Sequence, residues 1–216
     1  IHEVFSAAVD EKSPSVSARM WVYRGILTPV NVFDFTVSRH RDGPDAFLAG
    51  FRGKLMADCY TGYQGIALRS TGKIQRGACV SHARRKVFDA RESYPFESSL
   101  LLAWFQRLYD IEDQAKRMSV DERLGLRRSA SAAIWEEMRQ WMDGSAAEQV
   151  LPKSQLGKAL TYLRNHWDAL RLYLVDGRMP IDNNETEQLM KQIAIGRKNW
   201  IFIGSVAAGE QAAALM

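Results

Sequence analysis

Hydrophobic residues follow two different spacings along the chain, and each spacing predicts a different kind of element. Up to about Gly53, short apolar runs alternate with polar residues and are separated by Pro and Gly. The run Met20–Tyr23 and the alternating Phe33, Phe35 and Val37 are typical of strands with one buried face. The first part of the chain is therefore predicted to be rich in strands.

Charged residues follow directly after two of the predicted strands. A short helix is predicted over Asp45–Phe51, followed by a strand over Lys54–Ala57 that delivers Asp58 at its end. Another strand is predicted to precede Cys79-Val80, with a basic helix after it. This order places a carboxylate and a group of cations directly after two successive strands.

The middle of the chain, from about Phe96 to Asp176, has helical periodicity. Its apolar residues step by three and four, as in helices with one buried face. Three such stripes are Leu101, Phe105, Leu108 and Ile111; Ile134, Met138 and Trp141; and Leu156, Leu160, Leu163, Trp167, Leu170 and Leu174. Pro152 and Ser154 mark the start of the third helix and Gly177 its end. We interpret all three stripes as packing surfaces.

From Pro180 onward the pattern predicts a loop, a helix through Glu187 and an extended segment over Trp200–Ile203. Asn184 and Glu187 are three residues apart at the predicted helix start. Asn184 is therefore a candidate N-cap, and Glu187 a first-turn acid favoured by the helix dipole. The alternative is that Glu187 is a metal ligand.

Composition sets mild bounds on these predictions. The chain has 216 residues, 46% of them hydrophobic, which is enough for one large domain or a domain with an inserted subdomain. No run approaches the roughly 18 apolar residues of a membrane helix. Two cysteines give no disulfide framework, which fits a reducing cytoplasm. The chain starts at Ile1 with neither Met nor a signal-peptide pattern, which predicts a fragment of a longer protein.

Positive charge is concentrated in one segment. The whole chain carries a net charge of +4, whereas the segment from Arg69 to Arg91 has seven cations and a single acid, Asp89. A basic stripe in an otherwise neutral protein is typical of a polyanion binder, although a solvated helix face would look the same. Arg84, Arg85 and Lys86 are the candidates for phosphate contacts.

Carboxylates and amides are concentrated in another segment. Asp182, Asn183, Asn184 and Glu187 are followed after ten residues by Arg197-Lys198. Carboxylates of this kind hold divalent cations, and the Arg-Lys pair suits a phosphate. An Asp at a strand end, a helical block and then a carboxylate-bearing helix together indicate a sheet-based nuclease core with a helical insertion. In such cores carboxylates from separate elements hold two metal ions.

Each candidate also has a purely structural interpretation. Asp58 can be a turn former, and Asp182 can fix its loop through side-chain hydrogen bonds to the backbone. Cys79 and His82 have the spacing of zinc ligands, but no second Cys/His pair accompanies them and a zinc site normally needs four ligands. A buried Cys79 on a strand, with His82 capping or orienting the basic helix, is the favoured interpretation.

Several motifs in sequence order resemble those of the insertion-sequence 66 family of transposases. The two longest are Gly77-Ala78-Cys79-Val80-Ser81-His82-Ala83-Arg84-Arg85-Lys86-Val87-Phe88 and Asp182-Asn183-Asn184-x-x-Glu187, the second continued by Gly196-Arg197-Lys198-Asn199-Trp200-Ile201-Phe202-x-Gly204-Ser205. The shorter ones are Trp21-Val22-Tyr23, Gly53-Lys54-Leu55-x-x-Asp58-x-Tyr60, Leu108-Tyr109-x-Ile111-Glu112 and Pro152-Lys153-Ser154-x-Leu156-Gly157-Lys158-Ala159. The resemblance covers about residues 20 to 210.

The resemblance implies a DDE transposase with an α/β (α+β) ribonuclease-H-like core and a large all-helical insertion. Residues 1–95 would form the first part of the core, 96–178 the insertion, and 179–216 the core helix with the catalytic Glu. Asp58 and Glu187 would be the second and third catalytic carboxylates and would bind Mg²⁺ or Mn²⁺. Asp182, Asn183, Asn184 and His82 would support these ligands without binding the metal.

The first catalytic Asp of the family lies in an Asp-Glu-Thr motif after a His. Here His2 is followed by Glu3-Val4, and Asp10-Glu11 offers the alternative, eleven residues before Trp21. Asp10 is therefore the candidate for the first catalytic, metal-binding carboxylate. If Asp10 does not fill that role, the chain is a truncated, inactive remnant that only binds DNA.

The resemblance also implies the partners. The enzyme would hydrolyse phosphodiesters at element ends and transfer the freed strand to target DNA, with Arg84, Arg85, Lys86, Arg197 and Lys198 holding the DNA. A homo-oligomer on DNA and accessory transposition proteins are expected, with no membrane partner. The expected location is the bacterial cytoplasm, in association with the nucleoid.

Overall fold

The computed structural model describes residues 2–7, 16–37, 42–59, 61–199 and 205–215. The chain divides into two compact units. We call them the sheet unit (Ile1–Gly53, Tyr60–Gln75 and Asn183–Met216) and the helical unit (Lys54–Cys59 and Arg76–Asp182). These two units are defined by their compactness alone. The division into a core and a helical insertion, expected from the sequence, therefore stays a prediction.

Strands precede most of the helices along the chain. The strands are β1 (His2–Ala7), β2 (Val16–Arg24), β3 (Asn31–Thr36), β4 (Gly53–Ala57) and β5 (Ile74–Ala78). The α-helices are α1 (Asp42–Phe47), α2 (Thr61–Arg69), α3 (Val80–Asp89), α4 (Pro95–Ala115), α5 (Val120–Leu126), α6 (Ala132–Met142), α7 (Ser145–Glu148), α8 (Gln155–Asn165), α9 (Trp167–Arg171), α10 (Asn184–Asn199) and α11 (Val206–Leu215). A π-helix (Arg127–Ser131) joins α5 to α6, and a 3₁₀ helix (Leu172–Val175) follows α9.

An antiparallel sheet of order β1-β2-β3 organises the sheet unit. Met20 pairs with Phe35 and Val22 with Phe33, so these side chains share one face. That face is buried against α10 and α11 through Met190, Ile193 and Ala213. The strands predicted from the alternating pattern are confirmed.

The opposite face of the sheet carries the aromatic residues of β2. The Trp21 indole donates a hydrogen bond to Thr36 Oγ1 at 2.9 Å and meets the Tyr63 ring of α2 edge-on. Tyr23 stacks on Phe47 of α1 with 3.7 Å between ring centroids. Helices therefore cover both faces of this sheet.

Strand β4 pairs with β5, and Asp58 follows β4 directly, as the sequence predicts. The helix predicted over Asp45–Phe51 is shifted, because α1 covers Asp42–Phe47. The chain turns after Phe47, and Gly50 adopts a φ of +83°, which ends the helix before Phe51.

One core fills the helical unit. The predicted stripes on α4, α6 and α8 are confirmed as its packing surfaces. Trp135 is fully buried at the centre, with its ring edge-on to those of Phe105 and Trp167. Its indole N–H donates to the Tyr173 hydroxyl at 3.1 Å, so the largest core side chain also has its polar atom satisfied.

The third predicted helix is interrupted. Ser154 caps it as expected, accepting a hydrogen bond from the Gly157 amide at 3.0 Å. The helix breaks at His166, whose φ and ψ are −115° and 15°, and resumes as α9 and the 3₁₀ helix. The apolar stripe survives the break because Trp167, Leu170 and Leu174 remain buried.

Helix α10 is longer than predicted. It continues past Glu187 to Asn199, because Met190 and Ile193 lie one turn apart and are both buried against the sheet. The segment Trp200–Ile203, predicted to be extended, lies outside the described residues. Among the described helices, none is both long enough and apolar enough to cross a membrane.

A buried charge lies at the start of the π-helix. Arg127 is 1% exposed, and its guanidinium pairs with both carboxylate oxygens of Glu112 at 2.8 and 2.6 Å. Arg127 Nη1 also donates to the carbonyl oxygens of Tyr173, Asp176 and Met179 at 3.2, 2.8 and 2.9 Å. One side chain therefore ties α4 to the segment that follows the 3₁₀ helix.

Replacing Arg127 by Met should lower the free energy of unfolding by about 3–5 kcal/mol, because Glu112, only 14% exposed, would keep its charge without this partner. Four of the six tryptophans lie in the helical unit, so urea unfolding followed by tryptophan fluorescence reports mainly on it. The matched control is Lys116→Met, which removes an exposed ion pair with Asp113 and should change little. Equal effects of the two substitutions would contradict the assigned role of Arg127.

Candidate functional site

Asp58 lies half-buried at the end of β4. Its backbone carbonyl accepts a hydrogen bond from Arg76 Nη1 at 3.4 Å, and the same nitrogen lies 3.6 Å from the Cys59 sulfur. Arg76 comes from β5, the partner strand of β4. The predicted position of Asp58 at a strand end is confirmed, and its basic neighbour Arg76 was not among the predicted site residues.

The basic helix predicted after β5 is α3. Val80, Ala83 and Val87 point into the core, so Arg84, Arg85 and Lys86 are left exposed to solvent. Cys79 is fully buried and occupies the N-cap position, just beyond β5 rather than on it. His82 lies in the first turn of α3 and does not occupy the N-cap position, so its alternative role in orienting the helix stays a prediction.

The segment from Asp176 to Ile181 is held at several points. Lys54 and Arg178 both form ion pairs with Asp176, at 3.0 and 3.1 Å. The hydrogen bond from Arg178 and the charge of Lys54 hold the pKa of Asp176 well below its usual range. The Val80 amide, at the start of α3, donates to the Ile181 carbonyl at 3.2 Å.

Close packing adds to these hydrogen bonds. A Cβ at Gly77 would lie 2.1 Å from the terminal methyl group of Met179. Only glycine lets β5 approach Met179 this closely without displacing that side chain. The chain therefore enters Asp182 along a fixed path.

Asp182 itself is anchored to α4. The Tyr109 hydroxyl donates to Asp182 Oδ2 at 2.8 Å. Burial raises the pKa of Tyr109 far above its usual range, and the negative charge of Asp182 raises it further. Tyr109 thus stays protonated as the donor. Tyr109 belongs to one of the motifs that resemble the family, but it is not among the site residues predicted from the sequence.

Helix α10 begins at Asn184, one residue earlier than an Asn184 cap would require. The Glu187 amide donates to the Asn183 carbonyl at 3.0 Å, so Asn183 occupies the N-cap position and the Asn184 alternative is wrong. Asn183 is 6% exposed, and its Oδ1 has no hydrogen-bond partner within the described chain. Glu187 is half-buried in the first turn, whereas Glu185 is exposed and pairs with Arg24 at 3.0 Å.

The predicted site residues are distributed over both units. Asp58, His82 and Asp182 belong to the helical unit, and Asn183, Asn184 and Glu187 to the sheet unit. Asp10 lies outside the described residues, as do the side chains of Arg197 and Lys198 in the last turn of α10. The described residues contain no group of three or more His, Cys, Asp or Glu side chains arranged to hold a metal ion. The three-carboxylate ligand set therefore stays a prediction.

Replacing Tyr109 by Phe should destabilise the protein by about 1–3 kcal/mol at neutral pH, because Asp182 loses a hydrogen bond to a buried donor. The folded state keeps Tyr109 protonated, whereas the unfolded chain ionises near pH 10. The stabilisation is therefore complete below pH 10 and decreases as the pH rises above it. Urea unfolding should show that wild type and Tyr109→Phe differ less in their free energy of unfolding at pH 10.5 than at pH 7.

The control for this experiment is Tyr94→Phe. The Tyr94 hydroxyl only accepts a long hydrogen bond, 3.4 Å, from the Leu151 amide. A difference between wild type and Tyr109→Phe that does not change with pH would contradict the role assigned to the hydroxyl.

Comparisons with known proteins cover nearly the whole chain. A model of the transposase IS66 family matches residues 4–211. Three similar proteins come from Sinorhizobium fredii. Uncharacterized protein y4hP is 28% identical over 96% of this chain and 42% of its own length, y4jD is 31% identical over 93% and 40%, and y4qI is 30% identical over 87% and 36%.

This chain thus spans about two fifths of the length of the curated relatives it matches. No solved structure matches it. The family match includes β4 with Asp58, the basic helix α3 and the start of α10 with Glu187. The chain belongs to the IS66 family of transposases.

Proposed function

We propose that the chain is the catalytic domain of a DDE transposase that cuts phosphodiester bonds at the ends of an insertion sequence. The freed 3′-hydroxyl would then attack target DNA. The observation that carries the proposal is the position of two carboxylates inside the family match: Asp58 at the end of β4 and Glu187 in the first turn of α10. Carboxylates on strand ends and first helical turns are held by regular backbone, as a catalytic centre requires.

We also propose a ribonuclease-H-like core with an all-helical insertion. The antiparallel sheet β1-β2-β3, covered by helices on both faces, supports a sheet-based core. The chain between Pro95 and Val175 is a continuous run of helices, which supports an insertion. Their hydrophobic core also includes Val80, Ala83 and Val87 of α3.

Asp10, Asp58 and Glu187 would hold Mg²⁺ or Mn²⁺. Their carboxylates fit these ions, which prefer hard oxygen donors, and both Asp58 and Glu187 are half-buried and so remain accessible. When bound, the ions stabilise the charge that develops on the attacking and leaving oxygens.

Other residues of the chain would orient this site. Tyr109 fixes the Asp182 carboxylate, and the chain continues from there into the first turn of α10. The buried Asn183 presents an amide oxygen without a partner in the described residues, so it is suited to orienting a neighbouring ligand. Asn184 and His82 would complete these surroundings.

DNA at element ends and target would be the partner of this site. Arg84, Arg85 and Lys86 project from one exposed side of α3 and suit contacts to the phosphate backbone. Arg197 and Lys198 would add contacts from the last turn of α10. Such contacts position DNA without reading its sequence. A homo-oligomer that pairs two element ends, with accessory transposition proteins, completes the proposal.

Mn²⁺ binding tests the metal site directly. By isothermal titration calorimetry, Asp10→Asn, Asp58→Asn and Glu187→Gln should each weaken Mn²⁺ binding about tenfold or more, because each removes a ligand. Glu185→Gln is the matched control: Glu185 lies in the same first turn of α10 but is exposed and paired with Arg24. If Asp10→Asn alone behaves like the control, the site lacks its first carboxylate and the chain is an inactive remnant.

Mn²⁺-dependent nicking of supercoiled plasmid tests the reaction. Wild type and Glu185→Gln should nick at similar rates, whereas Asp58→Asn and Glu187→Gln should be slower by roughly a hundredfold or more, since a metal ion supplies several kcal/mol of transition-state stabilisation. Nicking that survives both substitutions would contradict the proposed catalytic residues.

A further inference from the structure

A cluster of basic side chains surrounds Tyr162 of α8 in the helical unit. The Lys86 ammonium lies 4.9 Å from the centroid of the Tyr162 ring, and the His166 ring meets it edge-on at 4.6 Å. Burial raises the pKa of Tyr162, and the nearby positive charge of Arg76 opposes that rise. Burial lowers the pKa of His166, and the charge of Arg76 lowers it further. We call Arg76, Lys86 and His166 the Tyr162 cluster.

The cluster carries positive charge without compensation. Within the described residues, none of the three basic side chains forms an ion pair with a carboxylate. Burial lowers the pKa of His166, and the charges of Arg76 and Lys86 lower it further, so the cations act on the same small volume. An arrangement of this kind costs free energy unless an anion completes it.

The cluster is open to solvent. Lys86 is exposed, and Arg76, Tyr162 and His166 are half-buried. Its groups come from three separate elements, namely β5, α3 and the junction of α8 and α9. The packing of these elements fixes the spacing of the cluster, whereas three lysines along one solvated helix would be free to move apart.

The chemistry of the cluster fits a phosphodiester. A guanidinium offers parallel N–H donors to two phosphate oxygens, and an ammonium adds a point charge. Lys86 also lies in the same turn of α3 as the exposed Arg84 and Arg85, so further cations lie near the cluster. Several cations close together suit a polyanion better than a single small anion.

The Tyr162 cluster lies close to the strand end that carries Asp58. Arg76 donates to the Asp58 carbonyl and also contacts Cys59. Cys59 also lies close to the Tyr162 hydroxyl, whose pKa is raised by burial and further by Cys59. A phosphate bound at the cluster would thus lie on the strand end that carries the candidate catalytic Asp.

We propose that Arg76, Lys86 and His166 bind a backbone phosphate of the DNA strand beside Asp58, with the Tyr162 ring forming the floor of this site. The proposal rests on the proposed function for the identity of the strand and for the role of Asp58. The proposal adds Arg76, His166 and Tyr162 to the DNA-binding surface. The cluster would bind DNA whether or not a metal ion is present.

DNA binding measured in EDTA tests the cluster apart from catalysis. Fluorescence anisotropy with a labelled DNA duplex over a series of salt concentrations gives both the affinity and its salt dependence. Arg76→Gln and Lys86→Gln should each weaken binding about tenfold and reduce the slope of log K against log salt by about 0.9, the value for one lost phosphate contact. Arg117→Gln removes the same charge from an exposed position outside the cluster and should leave the slope unchanged.

Two further measurements separate binding from folding. Circular dichroism verifies that the variants are folded, and Arg76→Lys, which keeps the charge, should retain more affinity than Arg76→Gln. By NMR, the pKa of His166 should rise when the duplex binds, because a phosphate offsets the charges of Arg76 and Lys86. The His166→Gln variant identifies the resonance.

The outcomes are distinct. If the cluster variants share the salt slope of Arg117→Gln, or if the pKa of His166 does not respond to the duplex, the cluster is not a phosphate site. If the slopes change as expected but the chain shows no metal-dependent nicking, the cluster stands and the proposed catalytic function fails. Nicking with unchanged slopes would overturn the cluster alone.

Discussion

The buried guanidinium of Arg127 is the constraint on which the candidate site depends. A charge in the interior must be fully paired, and Arg127 meets this requirement with Glu112 of α4 and three carbonyl oxygens. The same helix supplies Tyr109, one turn before Glu112, which holds Asp182. Helix α4 therefore anchors the segment from Asp176 to Asp182 within the helical unit. The π-helix that begins at Arg127 suits this function, since such irregular turns often lie at functional sites.

Local patterns in the sequence predict most of the elements and the positions of the candidate carboxylates. The apolar stripes of α4, α6 and α8 and the alternation in β2 and β3 depend on neighbours a few residues away, so periodicity reveals them. Asp58 at a strand end is predicted for the same reason. The break at His166 and the full length of α10 depend on tertiary packing, which outweighs local propensity.

The hydrogen bonds that hold the candidate site in place join distant parts of the chain. Local sequence patterns therefore do not reveal them. Tyr109 and Asp182 are 73 residues apart, and Arg127 and Met179 are 52 apart. In the sequence Arg76 is one cation of the basic segment and His166 a single histidine, whereas the fold places both near Tyr162. A sequence thus indicates which residues can do chemistry, whereas the contacts that orient them require the structure.

The division of the chain into two interleaved units has a consequence for its synthesis. The sheet face formed by Met20, Val22 and Phe35 is covered by α10 and α11, which the ribosome makes only after the whole helical unit. At roughly 5–20 residues per second, this apolar face waits on the order of ten seconds or more for its cover. If translation stalls while the helical unit is being made, the nascent chain would expose this apolar face of the sheet. We therefore expect the emerging polypeptide to depend on chaperones until α10 and α11 appear.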